Sequence, residues 1–191
     1  MIKIFYVILP LCFFSLLVFS QEKIEKEIKV PINSVPDKAI NWLDEVFNQK
    51  KKLKWFIEKG EDKVSYEAKF IRKRERYSVE FKEDGNLEDI EIYGNWRKLP
   101  LMVRNNISDY SEAQFSNFRI VKIQIQYSGT QEAIKNWIDN DELDQLVIKY
   151  EIEFYGEKAN KKKLWEGLFD KDGHILMRRE IILTPSNNLF F

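Results

Sequence analysis

Two hydrophobic patterns follow one another along the chain, and each pattern occurs twice. The first has the spacing of one helical face. Its positions are Ala39, Leu43 and Val46 after Val35-Pro36, and Val103, Ile107 and Tyr110 after Leu99-Pro100. Proline is favoured at the first position of a helix because its missing N–H has no partner there in any case. The pattern therefore predicts one helix after each proline.

The second pattern is alternation of apolar and polar residues, which is typical of antiparallel strands that bury one face only. The runs are 53–59, 63–70, 76–81 and 86–93 in the first half, and 118–127, 147–155, 163–169 and 174–182 in the second. In the run 118–127 the alternation places Val121, Ile123, Ile125 and Tyr127 on one side. Phe81 and Phe169 each end a run and are followed by Asp-Gly, a strong hairpin signal.

The matching halves predict an internal duplication. The expected fold class is α+β, a tandem repeat in which each unit is a helix packed on a four-stranded antiparallel sheet. Repeat 1 spans 35–94 and repeat 2 spans 95–183. A lead-in segment at 21–34, which has room for one edge strand, precedes the repeats, and a tail at 184–191 follows them. Repeat 2 carries a helical insert at 128–145, whose apolar face is Ala133, Ile134, Trp137 and Ile138.

Residues 1–20 predict a secretory signal peptide. One cation, Lys3, precedes a long apolar run, and the small residues Val18 and Ser20 suit cleavage after Ser20. The alternative is a membrane anchor, because about 18 apolar residues can just cross a bilayer. We expect export to the periplasm or the cell exterior, with no membrane span after signal removal. The removed segment contains the only cysteine, so the folded protein has no disulfide to stabilise it.

Charge and motifs exclude several function classes. The chain has 31 basic and 31 acidic residues, and loss of Lys3 leaves a net charge of −1, without the basic excess of a nucleic-acid-binding protein. His174 is the only histidine, and no zinc, phosphate-binding or nucleophile motif is present. We predict a protein that is not an enzyme and has no cofactor and no metal site.

The polar sides of the strands differ between the halves. In the first half they form a checkerboard of opposite charges, which is typical of a solvated sheet. In the second half apolar residues interrupt the charges, and the insert lies nearby. The candidate protein-contact residues are Trp137, Tyr155, Leu164, Leu168 and Glu153. The alternative is that the insert helix folds over these residues and buries them in a small core of their own.

These segments resemble a known family. A signal peptide, a V-P-x-x-A helix, strands with Y-E-x-x-F, an F-x-x-D-G turn and a second copy opened by Leu-Pro resemble the PepSY-like, beta-lactamase-inhibitor-protein-like (BLIP-like) domains of exported bacterial proteins. The resemblance covers about residues 35–183. Two departures are the insert and the absence of tryptophan near the Asp-Gly turns, where this chain has Leu87 and Ile175.

The resemblance implies two units side by side that present a broad sheet surface, which in the inhibitor proteins grips an enzyme. We therefore expect a non-catalytic module that binds an unknown extracytoplasmic protein, with inhibition of an enzyme such as a peptidase as one form of that function. The alternative is a small-ligand or envelope-stress binding module with its pocket between the sheet and the insert helix.

Overall fold

The computed structural model describes residues 22–23, 26–59 and 63–182. The strands are β1 Glu22–Lys23, β2 Lys26–Val30, β3 Lys51–Lys59, β4 Val64–Arg72, β5 Glu75–Lys82, β6 Leu87–Tyr93, β7 Asn117–Ser128, β8 Val147–Lys158, β9 Lys161–Phe169 and β10 Ile175–Ile181. The helices are α1 Asp37–Val46, α2 Leu101–Gln114 and α3 Gln131–Asn140. The predicted signal peptide, the turn at 60–62 and the tail at 184–191 lie outside the described residues.

Local sequence accounts for these elements. All eight alternating runs form strands, and β2 is the edge strand expected in the lead-in segment. Helices α1 and α2 each begin directly after their proline. Helix α3 of the insert is capped by Thr130, whose hydroxyl accepts a hydrogen bond from the Ala133 amide, and it ends at Asp141 in the left-handed conformation.

The predicted fold class is wrong, because the strands do not assemble into two separate units. The described strands do not form two four-stranded sheets; they form one sheet in the order β1-β10-β9-β8-β7-β6-β5-β4-β3-β2. Strand β6 pairs with β7, from Ile90 opposite Tyr127 to Tyr93 opposite Gln124. This pairing satisfies the backbone groups of two strands that would otherwise be exposed edges. The division of the chain into repeats at residues 94 and 95 stays a prediction.

The sheet curls until its two edges lie close together. Strand β1 pairs in parallel with β10 at one edge, whereas β2 pairs with β3 at the other. Three residue steps from Lys23 to Lys26 span at most about 11 Å. The edges of a flat sheet of this size would lie about 43 Å apart, at ~4.8 Å per strand. Only a strongly curled sheet allows both pairings.

All three helices pack on the same face of the sheet. Helices α1 and α3 share one buried cluster with the apolar side of β3–β6, and α2 packs on a second cluster with β7–β9. The clusters lie on one face because Ile92, Ile125, Tyr150 and Phe169 are cross-strand partners in a continuous row. We call the opposite face, from Phe56 in β3 to Leu168 in β9, the polar face.

The two Asp-Gly turns fasten the sheet to the helices. Gly85 and Gly173 have φ angles of +77° and +88°, which disfavour any residue with a side chain. A Cβ atom on Gly85 would lie 3.0 Å from the Cβ atoms of Pro36 and Lys38, and one on Gly173 would lie 2.7 Å from the carbonyl oxygen of Val103. Each glycine therefore serves both the turn and the close approach of a helix start.

Gly173→Ala is expected to lower the free energy of unfolding by about 2–3 kcal/mol. The alanine would adopt a left-handed conformation that costs about 1–2 kcal/mol, and it would also push against the backbone of α2. Chemical denaturation measures the change. The control is Asp141→Ala, at an exposed left-handed position, where a loss below about 1 kcal/mol is expected. Equal losses in the two variants would contradict the packing argument.

Candidate functional site on the polar face of the sheet

The polar face is more buried than a solvated sheet surface. Its side chains alternate with the core residues along each strand, as the period of two requires. Seven of its polar residues are buried: Ser65, Glu67, Ser78, Asp89, Glu91, Gln124 and Glu166. Hydrogen bonds join several of these side chains across neighbouring strands, such as the bond from Ser78 to Glu67 and the bond from Gln124 to Glu91. The expected solvated checkerboard of the first half is therefore corrected.

Three carboxylates meet at the centre of this face, and we call them the acidic cluster. Glu80 of β5 lies directly opposite Asp89 of β6, and Glu91 follows two residues further along β6 on the same side. One carboxylate oxygen from each residue lies within 4.8 Å of the others. Like charges placed opposite each other across two strands repel, so this arrangement needs a compensating group.

The surroundings favour the neutral form of these acids. Burial, together with the charges of Glu88 and Glu151, raises the pKa of Asp89 to about 7. Burial is also the main cause that raises the pKa of Glu80 and Glu91 well above the usual range for glutamate, and the mutual repulsion of the cluster adds to it. The cluster cannot carry three negative charges without a proton or a cation.

Two glutamines of β7 partly satisfy the cluster. Gln124 donates a hydrogen bond from Nε2 to Glu91, and Gln126 donates one from Nε2 to Asp89 over 3.0 Å. Within the cluster and these two glutamines, two buried oxygen atoms have no hydrogen-bond partner among the described residues: Oδ1 of Asp89 and Oε1 of Gln124. These two residues are 8% and 4% exposed, so bulk water does not solvate them freely.

The acids around the cluster are ion-paired. Lys69 contacts Glu27 at 2.9 Å and Glu67 at 3.0 Å, and Lys122 contacts Glu153 at 3.0 Å. Burial by itself would lower the pKa of Lys122, but Glu153 and its neighbours outweigh that effect and raise the pKa. Arg179 pairs with the buried Glu166 at 2.6 Å. The acidic cluster therefore differs from its neighbours in having no basic partner at ion-pair distance among the described residues.

The structure brings together four of the five predicted contact residues. Tyr155 lies opposite Leu164, Glu153 lies opposite Glu166, and Leu168 follows on the same side of β9. Tyr155, Leu164 and Leu168 are half-buried, and Arg119 and Lys162 lie against the Tyr155 ring at 5.3 and 4.8 Å. They form a mixed apolar and charged patch at the β8–β9 side of the polar face. Their role in protein contact stays a prediction.

Trp137 lies elsewhere. It is 8% exposed, belongs to the cluster under α1, and stacks on Tyr127 with ring centres 4.1 Å apart. Helix α3 therefore packs on the face opposite Tyr155 and does not cover it, contrary to the alternative in which the insert buries the patch.

A cleft of about 570 Å³ lies beside α3, between the β4–β5 hairpin and the end of β6. Its floor includes Tyr77, Tyr127 and Trp137. Five cations line it, against the acids Glu75 and Asp141: Arg72, Lys73, Arg74, Arg76 and Lys98. The charge balance suits an anionic ligand with an aromatic or apolar part.

His174 lies in the turn between β9 and β10, near Asp170 and Asp172. The backbone amides of Asp172 and His174 donate to Oδ1 of Asp170, and these bonds lower the pKa of that carboxyl although slight burial opposes them. The histidine is exposed, and these hydrogen bonds are those of a tight turn.

Sequence reasoning missed the acidic cluster. Glu80 and Asp89 flank the Lys82–Gly85 turn, and the register of that hairpin was the one signal that could have paired them. The contribution of β7 through Gln124 and Gln126 depends on the β6–β7 pairing, which local sequence does not reveal.

The sequence matches no family model and no curated protein. Solved structures resemble the fold. A BLIP-like protein from Bacteroides fragilis has a TM-score of 0.50 at 15% identity, covering 85% of this chain and 94% of its own. A DUF2874 family protein from Bacteroides ovatus has a TM-score of 0.53 at 15% identity, covering 82% of this chain and 98% of its own.

A third similar structure, from Bacteroides eggerthii, is provisionally described as periplasmic; its TM-score is 0.50 at 16% identity, with coverage of 76% and 88%. These likenesses support a BLIP-like fold, whereas the PepSY-like part of the resemblance stays a prediction. At such identities they establish the fold alone. Within the described residues, no helix has the length and apolar character needed to span a membrane.

Proposed function

We propose that this protein is an exported, non-catalytic module that binds another protein through the β8–β9 side of the polar face. The observation that carries the proposal is the patch of Tyr155, Leu164 and Leu168, which no described helix covers. Apolar and aromatic side chains within a charged rim are typical of protein contact sites. Export is supported by the signal-like sequence at 1–20 and by the similar structure described as periplasmic.

Tyr155→Ala combined with Leu168→Ala is expected to weaken binding at least about tenfold, or ~1.4 kcal/mol, because an aromatic and an aliphatic contact are removed together. The measurement is quantitative capture from envelope extracts of the native host, with the exported chain immobilised. The matched control is Leu101→Ala, an exposed apolar residue on α2. A partner retained by the double variant, or lost equally with Leu101→Ala, would rule out this binding face.

A finer proposal is that the partner is an extracytoplasmic enzyme, such as a peptidase, that loses activity when bound. Its support is the family resemblance. A captured partner with enzymatic activity tests it directly, because inhibition requires that activity falls in proportion to the bound fraction.

The cleft beside α3 favours a second candidate function, which is binding of a small anionic ligand. The five cations at its wall and the aromatic floor support this alternative. Native mass spectrometry of protein purified from its host separates the two: a retained anion favours the cleft, and a retained protein favours the polar face.

A further inference from the structure

We propose that Glu80, Asp89 and Glu91, together with the side-chain oxygen of Gln124, form a binding site for a calcium ion on the polar face.

The first support is the spacing of the three carboxylates. Their oxygens lie within 4.8 Å of one another. Calcium binds oxygen atoms at about 2.3–2.6 Å, so two of its ligands are at most about 5 Å apart. One ion can therefore contact all three residues with only small side-chain movement. The pairing of β5 with β6 fixes the spacing, because Glu80 and Asp89 are direct cross-strand partners.

The second support is independent of the acids. Gln124 is 4% exposed, and its Oε1 atom has no hydrogen-bond partner among the described residues. Its Nε2 atom donates to Glu91, which places the amide at the edge of the cluster. A buried carbonyl-type oxygen without a partner has lost its hydrogen bonds to water, which costs free energy. An ion at the cluster removes that cost and also satisfies Oδ1 of Asp89, a buried oxygen of the cluster itself without a partner among the described residues.

The third support is the lack of a protein cation. Two other groups of three possible ligands occur among the described residues, and both have partners. In one, Lys69 contacts Glu27 and Glu67; in the other, turn amides bind Asp170. No lysine or arginine in the described ranges lies within ion-pair distance of Glu80, Asp89 or Glu91. A counterion from outside the chain would allow all three carboxylates to stay ionised in this environment.

The chemistry of the ligand atoms and the coordination geometry that each ion requires favour calcium. The ligand set contains only carboxylate and amide oxygens, which suit a hard cation rather than zinc or copper. Calcium accepts the irregular geometry that a sheet face offers, whereas magnesium demands a near-ideal octahedron. Asp89 and Glu91 are 8% and 5% exposed and Glu80 is half-buried, so a small ion can reach the cluster from the Glu80 side.

The test uses the whole exported chain, stripped with EDTA and titrated with calcium chloride in a calorimeter at about 150 mM NaCl, which screens diffuse surface binding. The wild type is expected to bind one calcium ion per chain in a saturable step. Asp89→Asn and Glu91→Gln are each expected to raise the Kd at least about tenfold, because ligand charge sets calcium affinity. The matched control is Glu157→Gln, on the same side of β8, and its Kd should equal that of the wild type.

Thermal melting gives a second readout that does not depend on the calorimeter. Calcium is expected to raise the Tm of the wild type and of Glu157→Gln, and to raise the Tm of Asp89→Asn and Glu91→Gln by less at the same calcium concentration. The cluster variants remove repulsion, so they should fold in EDTA. The absence of saturable binding and of a Tm shift in the wild type would overturn the proposal, as would cluster variants that bind calcium as tightly as the control.

Discussion

Trp137→Ala is expected to lower the free energy of unfolding by about 3–5 kcal/mol. Trp137 is buried against the sheet and stacks on Tyr127 with an interplanar angle of 25°. It packs with Ile134 and Ile138 of α3 in the same cluster as α1 and β3–β6. Truncation leaves a cavity at the junction of α3 and the sheet, which the surrounding side chains can fill only in part.

Urea denaturation measures this loss, and the matched variant is Tyr155→Ala. Tyr155 is half-buried on the polar face, where Arg119 and Lys162 lie against its ring, so a loss of about 1 kcal/mol or less is expected. Nearly equal stabilities for Trp137→Ala and the wild type would contradict the core position of Trp137. The contrast also separates Trp137 from Tyr155 among the predicted contact residues, because truncation of Tyr155 is expected to weaken the fold much less.

Asp89→Asn is expected to stabilise the calcium-free protein by about 4 kcal/mol at about pH 8. The environment raises the pKa of Asp89 from its ordinary value of 3.8 to about 7. Between about pH 4 and about pH 7 the folded state therefore holds a proton that the unfolded state has already released, and above that range the folded state bears the full penalty of a buried charge. Stability is greatest below about pH 4 as far as this group is concerned, and it falls as the pH rises to about 7. Asparagine keeps the oxygen that accepts from Gln126 and has no charge to desolvate.

The charged groups around Asp89 lie on β5, β6 and β8 and directly before β4: Lys63, Glu80, Glu88, Glu91, Lys149 and Glu151. Denaturation in EDTA across the range from about pH 4 to about pH 8 measures the slope. The control is Asp84→Asn, because the Asn86 amide lowers the pKa of this exposed turn carboxyl and its linkage has the opposite sign. Asp84→Asn should leave the fall in stability with rising pH in place. A wild-type stability that does not fall over this range would contradict the burial of an uncompensated acid.

The secondary structure could be predicted because its signals are local. In the runs 63–70 and 76–81 apolar and polar residues alternate without exception, and β4 and β5 form there. Strand β7 shows the limit of that logic. Its register shifts between Ile120 and Lys122, so Ile120 and Ile123 both pack on the second core while Val121 is exposed. Simple alternation placed Val121 beside Ile123, and a bulge of one residue leaves no sign in the apolar pattern.

The candidate site was predicted in part. Tyr155, Leu164, Leu168 and Glu153 could be placed on one face because β8 and β9 are neighbours in sequence with a short turn between them. Trp137 could be placed on the apolar side of α3. It could not be placed on a face of the sheet, because the sequence of the insert does not indicate on which face the helix packs. The acidic cluster could not be predicted, because alternation specifies the side of a strand and does not indicate how strongly that side is buried.

The sequence by itself determined the strands, the three helices, the Asp-Gly turns and the separation of polar from apolar sides, because each depends on residues within about ten positions of one another. The tertiary structure alone decided that β6 pairs with β7, that the sheet is continuous, and that Asp89 and Glu91 become buried beside the half-buried Glu80. The physical reason is that two strand edges with equal hydrogen-bonding capacity can pair or stay apart with the same side-chain pattern. Pairing of these edges joins residues that are distant in the sequence, and the free energy gained by that pairing selects the outcome.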